Sequence, residues 1–255
     1  MIRLALVLAV IGPATLWYAT PILWAAWRGG PGAARVFDES PRHWALLLLR
    51  VSGVDVVFEG DEVLDLRRPQ ILFANHVSWF DVLALVAHLP GRCVFVAKKE
   101  LENVPLFGPA AKACGHIFVD RQDRSQAVAS LQSARQNLEE ASPTIIIFPE
   151  GTRSASGALQ EFKKGAFVLA IQSGTELVPA AISGSYEVMR KGSVLIRSGT
   201  VRVRFGAPIP VAGYGLGQRN ELTRKAREAL LALQSNSGAG APPPSAATRD
   251  TETEE

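Results

Sequence analysis

The sequence predicts an α/β fold in which helices flank a mixed, largely parallel sheet, with a membrane-associated helical segment at the N-terminus. From Val54 onward, short β-branched runs alternate with longer stretches of helical period, and such alternation is typical of α/β domains. Before Val54 lies a long uncharged run, and after Ser235 the chain is of low complexity. We therefore expect a membrane-associated segment over residues 1–52, an α/β domain over residues 53–235 and a disordered tail over residues 236–255.

The first element is the apolar run from Leu4 to Trp27, which contains no charged residue. As a helix it would reach about 36 Å, enough for the core of a bilayer. Pro13 and Pro21 interrupt it, so a kinked span and a two-piece re-entrant insertion compete with a straight transmembrane helix. A cleaved signal peptide is disfavoured because the run is long and no small-residue cleavage site closes it.

Arginine placement predicts the orientation of this segment. Arg3 precedes the run, whereas Arg28, Arg35 and Arg42 follow it. Under the positive-inside rule the following domain faces the cytosol, on the cytoplasmic (inner) membrane. The next apolar stretch, Trp44–Val51, is too short to span a bilayer, so it either docks on the membrane or packs as a core helix.

The rest of the chain offers eight candidate strands and five candidate helices. The predicted strands are Val54–Glu59, Gln70–Ala74, Cys93–Ala97, His116–Val119, Thr144–Phe148, Leu177–Ile182, Val194–Ile196 and Val201–Phe205. The predicted helices are Phe80–His88, Pro105–Ala113, Arg124–Glu140, Glu161–Gln172 and Gln218–Gln234.

One strand-to-helix turn carries a candidate general base. The strand Gln70–Ala74 runs into residues 75–81 (NHVSWFD), where about one helical turn can return the Asp81 carboxylate to the His76 imidazole. A histidine whose one nitrogen is held by a carboxylate can take a proton from an alcohol on the other. The alternative is a histidine that caps a turn beside an ordinary first-turn aspartate.

A second strand, Thr144–Phe148, runs into residues 149–154 (PEGTRS). Ligands of open α/β sheets bind at the carboxyl ends of strands. Arg153 carries a planar fork of donors suited to phosphate, and Gly151 lets backbone N–H groups approach an anion closely. The alternative is a surface turn that holds an Arg–Glu ion pair.

Composition argues against several other classes of function. The net charge is +3, and it rises to +6 when the last seven residues, with one Arg and four acidic residues, are left out. This excess favours attraction to anionic head groups and phosphates. Nucleic acid is disfavoured because the sequence lacks a basic stripe with interleaved aromatics, and it contains neither a P-loop nor a dinucleotide-binding glycine pattern.

The cysteines and the remaining histidines show no ligand spacing. We expect Cys93 and Cys114 to be buried free thiols of a reducing compartment, and we assign no metal. His43, His88 and His116 lack a nearby partner pattern, which favours structural or surface roles.

Four ordered runs resemble the blocks of the glycerolipid acyltransferase family. They are NHVSWFD (75–81), GHIFVDR (115–121), FPEGTRS (148–154) and VPAAI (178–182). Two further family-like runs are AKKEL (97–101) and FKKGA (162–166). The resemblance covers roughly Val54 to Pro210, and within the family it is greatest to bacterial 1-acylglycerol-3-phosphate acyltransferases of the PlsC type. It implies the same α/β fold.

The resemblance also implies roles for particular residues. His76 and Asp81 are the expected catalytic pair, in which His76 deprotonates a hydroxyl and Asp81 orients the imidazole. The resemblance places Arg153 and Lys98 at the phosphate of the acceptor, with Arg121 as a further candidate.

The remaining residues of these blocks keep more than one interpretation. Glu150 either hydrogen-bonds the glycerol hydroxyl or holds Arg153 in place. Gly151 and its neighbour Thr152 are expected to bind substrate, with backbone N–H groups offered to the oxyanion. Pro179 and Ala180 line an acyl tunnel or belong to a core strand.

The implied reaction moves a fatty acyl group from an acyl thioester to the sn-2 hydroxyl of 1-acylglycerol-3-phosphate, giving phosphatidic acid in phospholipid synthesis. The expected partners are lysophosphatidic acid, membrane lipids, and acyl-CoA or acyl-carrier protein as donor, with no cofactor. Three alternatives stay open. They are an acyltransferase for another lyso-lipid such as lyso-ornithine lipid, a membrane-bound serine hydrolase using Ser78 or Ser154, and a non-catalytic lipid-binding protein.

Overall fold

The structure, a computed structural model, describes residues 2–30, 32–120 and 144–235. Its helices are α1 (Ile2–Arg28), α2 (Ala33–Ser52), α3 (Trp79–His88), α4 (Phe107–Ala113), α5 (Gly165–Ser173), α6 (Ser185–Val188) and α7 (Arg219–Ser235). Its strands are β1 (Val54–Glu59), β2 (Gln70–Ala74), β3 (Cys93–Lys98), β4 (Ile117–Val119), β5 (Thr144–Ile147), β6 (Leu177–Ser183) and β7 (Gly199–Phe205).

The strands form one sheet in the order β1-β7-β6-β2-β5-β3-β4. All neighbours pair in parallel except β6 and β7, which are antiparallel. The predicted fold class, a mixed and largely parallel sheet with flanking helices, is confirmed. The central strand β2 is buried throughout, as expected for a parallel strand covered on both faces.

Helices cover the sheet on both sides. Leu72 of β2 faces a core that includes Leu49 of α2 and Leu85 of α3. Phe73 faces the opposite core, which includes Phe167 of α5 and residues of α7. Because successive side chains of a strand point to opposite faces, a single apolar run serves both cores.

The N-terminal helix α1 is long and apolar enough to cross a membrane, which suggests membrane association. Pro13 and Pro21 lie inside one continuous helix. Trp17, Trp24 and Trp27 are exposed. Helix α2 is longer than the apolar stretch that predicted it, and its buried leucines belong to the domain core, so the core-helix interpretation of that stretch holds.

One predicted strand is wrong. Residues Val194–Ile196 form no strand, because β7, the next strand along the chain, already has β1 on one side and β6 on the other. Val194 and Leu195 are exposed, and only Ile196 reaches the core. The predicted helix Arg124–Glu140 and the tail 236–255 lie outside the described residues. The division between residues 52 and 53 stays a prediction.

Cys93 and Cys114 are free, as predicted. Burial raises the pKa of each thiol to about 12, so neither is a nucleophile at neutral pH. Nearby, Nδ1 of His116 accepts the Phe95 N–H at 3.4 Å. Burial, aided by the positive charge of Arg92, lowers the pKa of His116 to about 4.

We expect His116 to make the fold sensitive to acid. Above about pH 6.5 the ring is neutral in both states. As the pH falls from there toward 4, the unfolded chain binds a proton that the folded chain does not, so stability falls. The loss of melting temperature between pH 7.5 and pH 5 should be smaller for His116→Gln than for wild type. Equal losses would contradict this origin of the acid sensitivity.

Candidate active site

The candidate site lies where three parallel neighbours, β2, β5 and β3, reach their carboxyl ends. His76 follows β2, Glu150 and Arg153 follow β5, and Lys98 is the last residue of β3. The sheet order places β5 between β2 and β3. The topology thus gathers residues that are far apart in sequence at one edge of the sheet, as open α/β sheets do at their ligand sites.

The spacing of His76 and Asp81 follows from the way α3 begins. Ser78 is the N-cap residue, and its hydroxyl accepts the Phe80 N–H at 3.3 Å. Asp81 completes the capping box, because its Oδ2 accepts the N–H groups of Ser78 at 2.8 Å and Val77 at 2.7 Å. The same oxygen lies 2.8 Å from Nδ1 of His76. One carboxylate therefore both starts the helix and holds the imidazole.

Asp81 is fully buried, and Ser185 supplies a further donor to it. The Ser185 hydroxyl donates to Oδ1 at 2.5 Å, and both residues have no exposed surface. A carboxylate away from water needs several donors to stay ionised. Asp81 has them from its own turn and from α6.

His76 is fixed through its backbone as well as its ring. Its N–H donates to Oε1 of Glu150 at 2.7 Å, and its carbonyl accepts the Ser154 N–H at 2.7 Å. The ring stacks on Phe148, with centroids 4.1 Å apart. Among the described residues Nε2 has no hydrogen-bond partner, and the side chain retains 15% exposure. The imidazole thus presents one nitrogen for proton transfer.

Glu150 braces this arrangement from the turn after β5. It is buried, and its Oε2 accepts the backbone and side-chain N–H groups of Gln160 at 2.9 and 3.0 Å, while Oε1 serves His76. Within the described ranges it forms no ion pair with Arg153, so the structure does not contain the Arg–Glu pair of the surface-turn alternative. The predicted contact of Glu150 with substrate stays a prediction.

Arg153 lies close to His76 and Asp81. Its guanidinium is 4.8 Å from the centroid of the Trp79 ring, a cation–π contact. Burial lowers the pKa of Arg153, and the Asp81 charge acts in the opposite direction. An arginine guanidinium stays charged at neutral pH even when partly buried, and among the described residues that of Arg153 has no ion-pair partner.

The turn that carries Arg153 depends on Gly151, whose φ is +73°, a conformation that favours glycine. The Gly151 N–H donates to Phe148 O at 3.0 Å, so this amide is not available to an oxyanion, contrary to expectation. In the described part of the chain, the N–H groups of Thr152 and Arg153 have no acceptor. These two amides are the donors that the turn leaves free for an anion.

The other predicted site residues make no described contact with His76 or Asp81, or they fall outside the described residues. Lys98 pairs with Glu100 at 2.6 Å on the exposed rim. Arg121 falls outside the described residues. Pro179 and Ala180 are buried in β6, paired with β2, which agrees with the core-strand interpretation.

Two residues of this site were not singled out from the sequence. Ser185 reaches Asp81, and Nζ of Lys191 donates to Oγ1 of Thr152 at 3.2 Å. Both lie in the connection between β6 and β7, after the fourth family-like run. No local pattern identifies them, because their partners are distant in sequence. The available signal was position, since this connection leaves β6 at the same edge of the sheet.

A sequence model described as Acyltransferase matches residues 55–183 of this chain. The human 1-acyl-sn-glycerol-3-phosphate acyltransferase alpha is 32% identical over 76% of this chain and 70% of its own length. The Saccharomyces cerevisiae 1-acyl-sn-glycerol-3-phosphate acyltransferase is 33% identical over 70% and 59%. The crystal structure of the 1-acyl-sn-glycerophosphate (LPA) acyltransferase PlsC from Thermotoga maritima is similar in fold, with a TM-score of 0.81 at 22% identity, covering 94% of this chain and 96% of that one.

The brace at Glu150 generates a stability prediction. Glu150→Gln replaces one acceptor oxygen by a donor, so a partly buried N–H of His76 or Gln160 loses its partner. We expect the free energy of unfolding in urea to fall by about 1–3 kcal/mol. The control is Glu161→Gln, the same change at an exposed neighbour, which should be close to wild type. Equal stability of the two variants would contradict a stabilising role for the hydrogen bonds that Glu150 accepts.

Proposed function

This chain belongs to the acyltransferase family, and from that premise we propose that it transfers a fatty acyl group from an acyl thioester to the sn-2 hydroxyl of 1-acylglycerol-3-phosphate. The product is phosphatidic acid. Relatives that match most of this chain are named for this reaction. The observation that carries the proposal is the 2.8 Å contact between His76 and the buried Asp81, while the second imidazole nitrogen has no partner among the described residues.

The proposed chemistry is a direct transfer. Nε2 of His76 takes the proton of the acceptor hydroxyl as the oxygen attacks the thioester carbonyl. The tetrahedral intermediate collapses with cleavage of the C–S bond, and the imidazolium returns its proton to the leaving thiolate. Asp81 keeps the imidazole in one orientation and stabilises its cation. Because the alcohol is the nucleophile, the reaction requires no acyl-enzyme.

The contacts of the two candidate serines argue against a serine hydrolase. Ser78 is buried, and its hydroxyl donates to Met189 O at 2.7 Å while capping α3. Ser154 is also buried, and its hydroxyl lies 3.4 Å from that of Ser156. Among the described contacts, neither hydroxyl reaches His76, as a nucleophile would need to do.

The acceptor phosphate is proposed to bind at the turn after β5. Arg153 supplies a guanidinium, Thr152 supplies its hydroxyl, and both offer free backbone N–H groups. Lys191 adds an ammonium group that already contacts Thr152. Lys98, the last residue of β3, is proposed to contribute, as is Arg121, which follows β4 by two residues in the sequence. This cluster of cations and N–H donors matches the chemistry of a phosphate monoester.

The donor is proposed to be acyl-CoA or acyl-carrier protein, and the site is proposed to face the cytosol at the inner membrane. Helix α1 supports membrane attachment, and the arginines that follow it support the orientation. Protease digestion of sealed inverted membrane vesicles tests this topology. Cleavage of the domain in inverted vesicles, but not in intact spheroplasts, is the expected result, and the reverse pattern would contradict it.

The reaction and its base are tested with one pair of variants. Transfer of a radiolabelled acyl group to lysophosphatidate, from acyl-CoA and from acyl-carrier protein, should give phosphatidate with wild type. His76→Ala should lose about 10²–10⁴-fold in rate. His43→Ala, an exposed histidine far from the site in the fold, should match wild type. Substantial activity in folded His76→Ala would rule out this base.

A second prediction concerns the shape of the Arg153 cation. Arg153→Lys should raise the KM for lysophosphatidate more than the KM for the donor, because an ammonium group cannot replace a bidentate fork. The control is Arg190→Lys, since Arg190 lies 4.9 Å from the Tyr186 ring in a comparable contact. Equal changes in both KM values would point to a structural role for Arg153.

A third prediction separates charge from fold at Lys191. Lys191→Gln should raise the KM for lysophosphatidate while activity toward a monoacylglycerol, which lacks the phosphate, stays unchanged. The matched control is Lys225→Gln. Lys225 lies on α7, and its Nζ is 5.9 Å from the centroid of the Tyr214 ring. Parallel losses on both acceptors would show that Lys191 does not act on the phosphate.

A further inference from the structure

Ser185 contacts Asp81 of the catalytic pair, although its position in the sequence does not predict this contact. It is the first residue of α6, and its hydroxyl donates to Oδ1 of Asp81 across a separation of 104 residues. Both side chains are fully buried, so water has no access to this hydrogen bond. Burial makes such a contact strong and costly to lose.

The two carboxylate oxygens of Asp81 differ in the number of their hydrogen-bond partners. Oδ2 has Nδ1 of His76 and the N–H groups of Val77 and Ser78 as partners. Among the described residues, Oδ1 has the Ser185 hydroxyl alone. The Ser185 hydroxyl therefore holds the second oxygen, and together with the three donors on Oδ2 it fixes the plane of the carboxylate.

We propose that Ser185 is a positioning residue for the acyl transfer, acting on His76 through Asp81. This inference rests on the proposed function. The hydroxyl draws off part of the negative charge of the carboxylate and holds its plane. Without it, the carboxylate attracts the imidazolium more strongly and turns more freely, so His76 stays protonated to a higher pH and meets the acceptor hydroxyl less often in a productive orientation.

Among the described residues, the other charged groups near the pair make no hydrogen bond to the Ser185 side chain. Glu150 and Arg153 approach from the turn after β5, the first through the His76 backbone and the second through its charge. Glu187 on α6 and His88 at the far end of α3 make no described contact with either member of the pair. A shift in the pH profile of a Ser185 variant therefore reports on the missing hydroxyl.

The experiment compares Ser185→Ala and Ser185→Cys with wild type and with Ser52→Ala. Ser52 is also buried, and its hydroxyl donates to Leu48 O at 2.7 Å within α2, without a described contact to His76, Asp81 or Ser185. Ser185→Ala should lower kcat by up to about 10²-fold, with the two KM values little changed and the acid limb of the pH profile moved to higher pH. Ser185→Cys, with its weak S–H donor, should fall between. Ser52→Ala should leave kcat and the pH profile as in wild type.

A second readout works without substrate. The pH titration of the His76 ring is followed by NMR, with His76→Ala for assignment, and its midpoint should rise in Ser185→Ala but not in Ser52→Ala. An unchanged midpoint in folded Ser185→Ala would overturn the inference, as would a wild-type kcat. Absence of lysophosphatidate transfer by wild type would count against the proposed function instead, while the ring titration still decides the role of Ser185.

Discussion

The fully buried carboxylate of Asp81 is the constraint on which the rest of the site depends. An unpaired charge at this position would be very costly, so the fold surrounds it with donors. Two are backbone N–H groups of its own turn, one is the His76 imidazole and one is the Ser185 hydroxyl. Satisfying this charge starts α3, orients the His76 imidazole and attaches the β6–β7 connection in one arrangement.

The segments that carry the site are joined by hydrogen bonds in which buried side chains or backbone groups contact the backbone of another segment. His76 is bonded on its N–H side to Glu150 and on its carbonyl side to Ser154. Asn75 continues the pairing of β2 with β6, because its side-chain amide exchanges two hydrogen bonds with the Ile182 backbone at 2.9 and 2.7 Å. These links hold the carboxyl ends of β2, β5 and β6 in fixed register. Electrostatic catalysis requires preorganisation of this kind.

Much of this could be predicted from the sequence. The strands β1 and β2 were predicted with their observed bounds, since their apolar runs are bounded by clear turns, and the proximity of His76 and Asp81 follows from local helix geometry. Features that depend on residues distant in sequence could not be predicted. The strand expected at Val194–Ile196 has the right residue types, but the strand that follows it, β7, is already paired on both sides. Glu150 was expected to face substrate or Arg153, yet it accepts N–H groups from His76 and Gln160, a contact that only the assembled turn reveals.

The central claim is that the acceptor alcohol, activated by His76, attacks the thioester directly. Initial rates measured over a grid of lysophosphatidate and acyl-donor concentrations test it most directly. Direct transfer requires both substrates on the protein at once, which predicts double-reciprocal lines that intersect. Parallel lines, together with labelled acyl groups covalently attached to the protein when the acceptor is left out, would show an acyl-enzyme and contradict the mechanism.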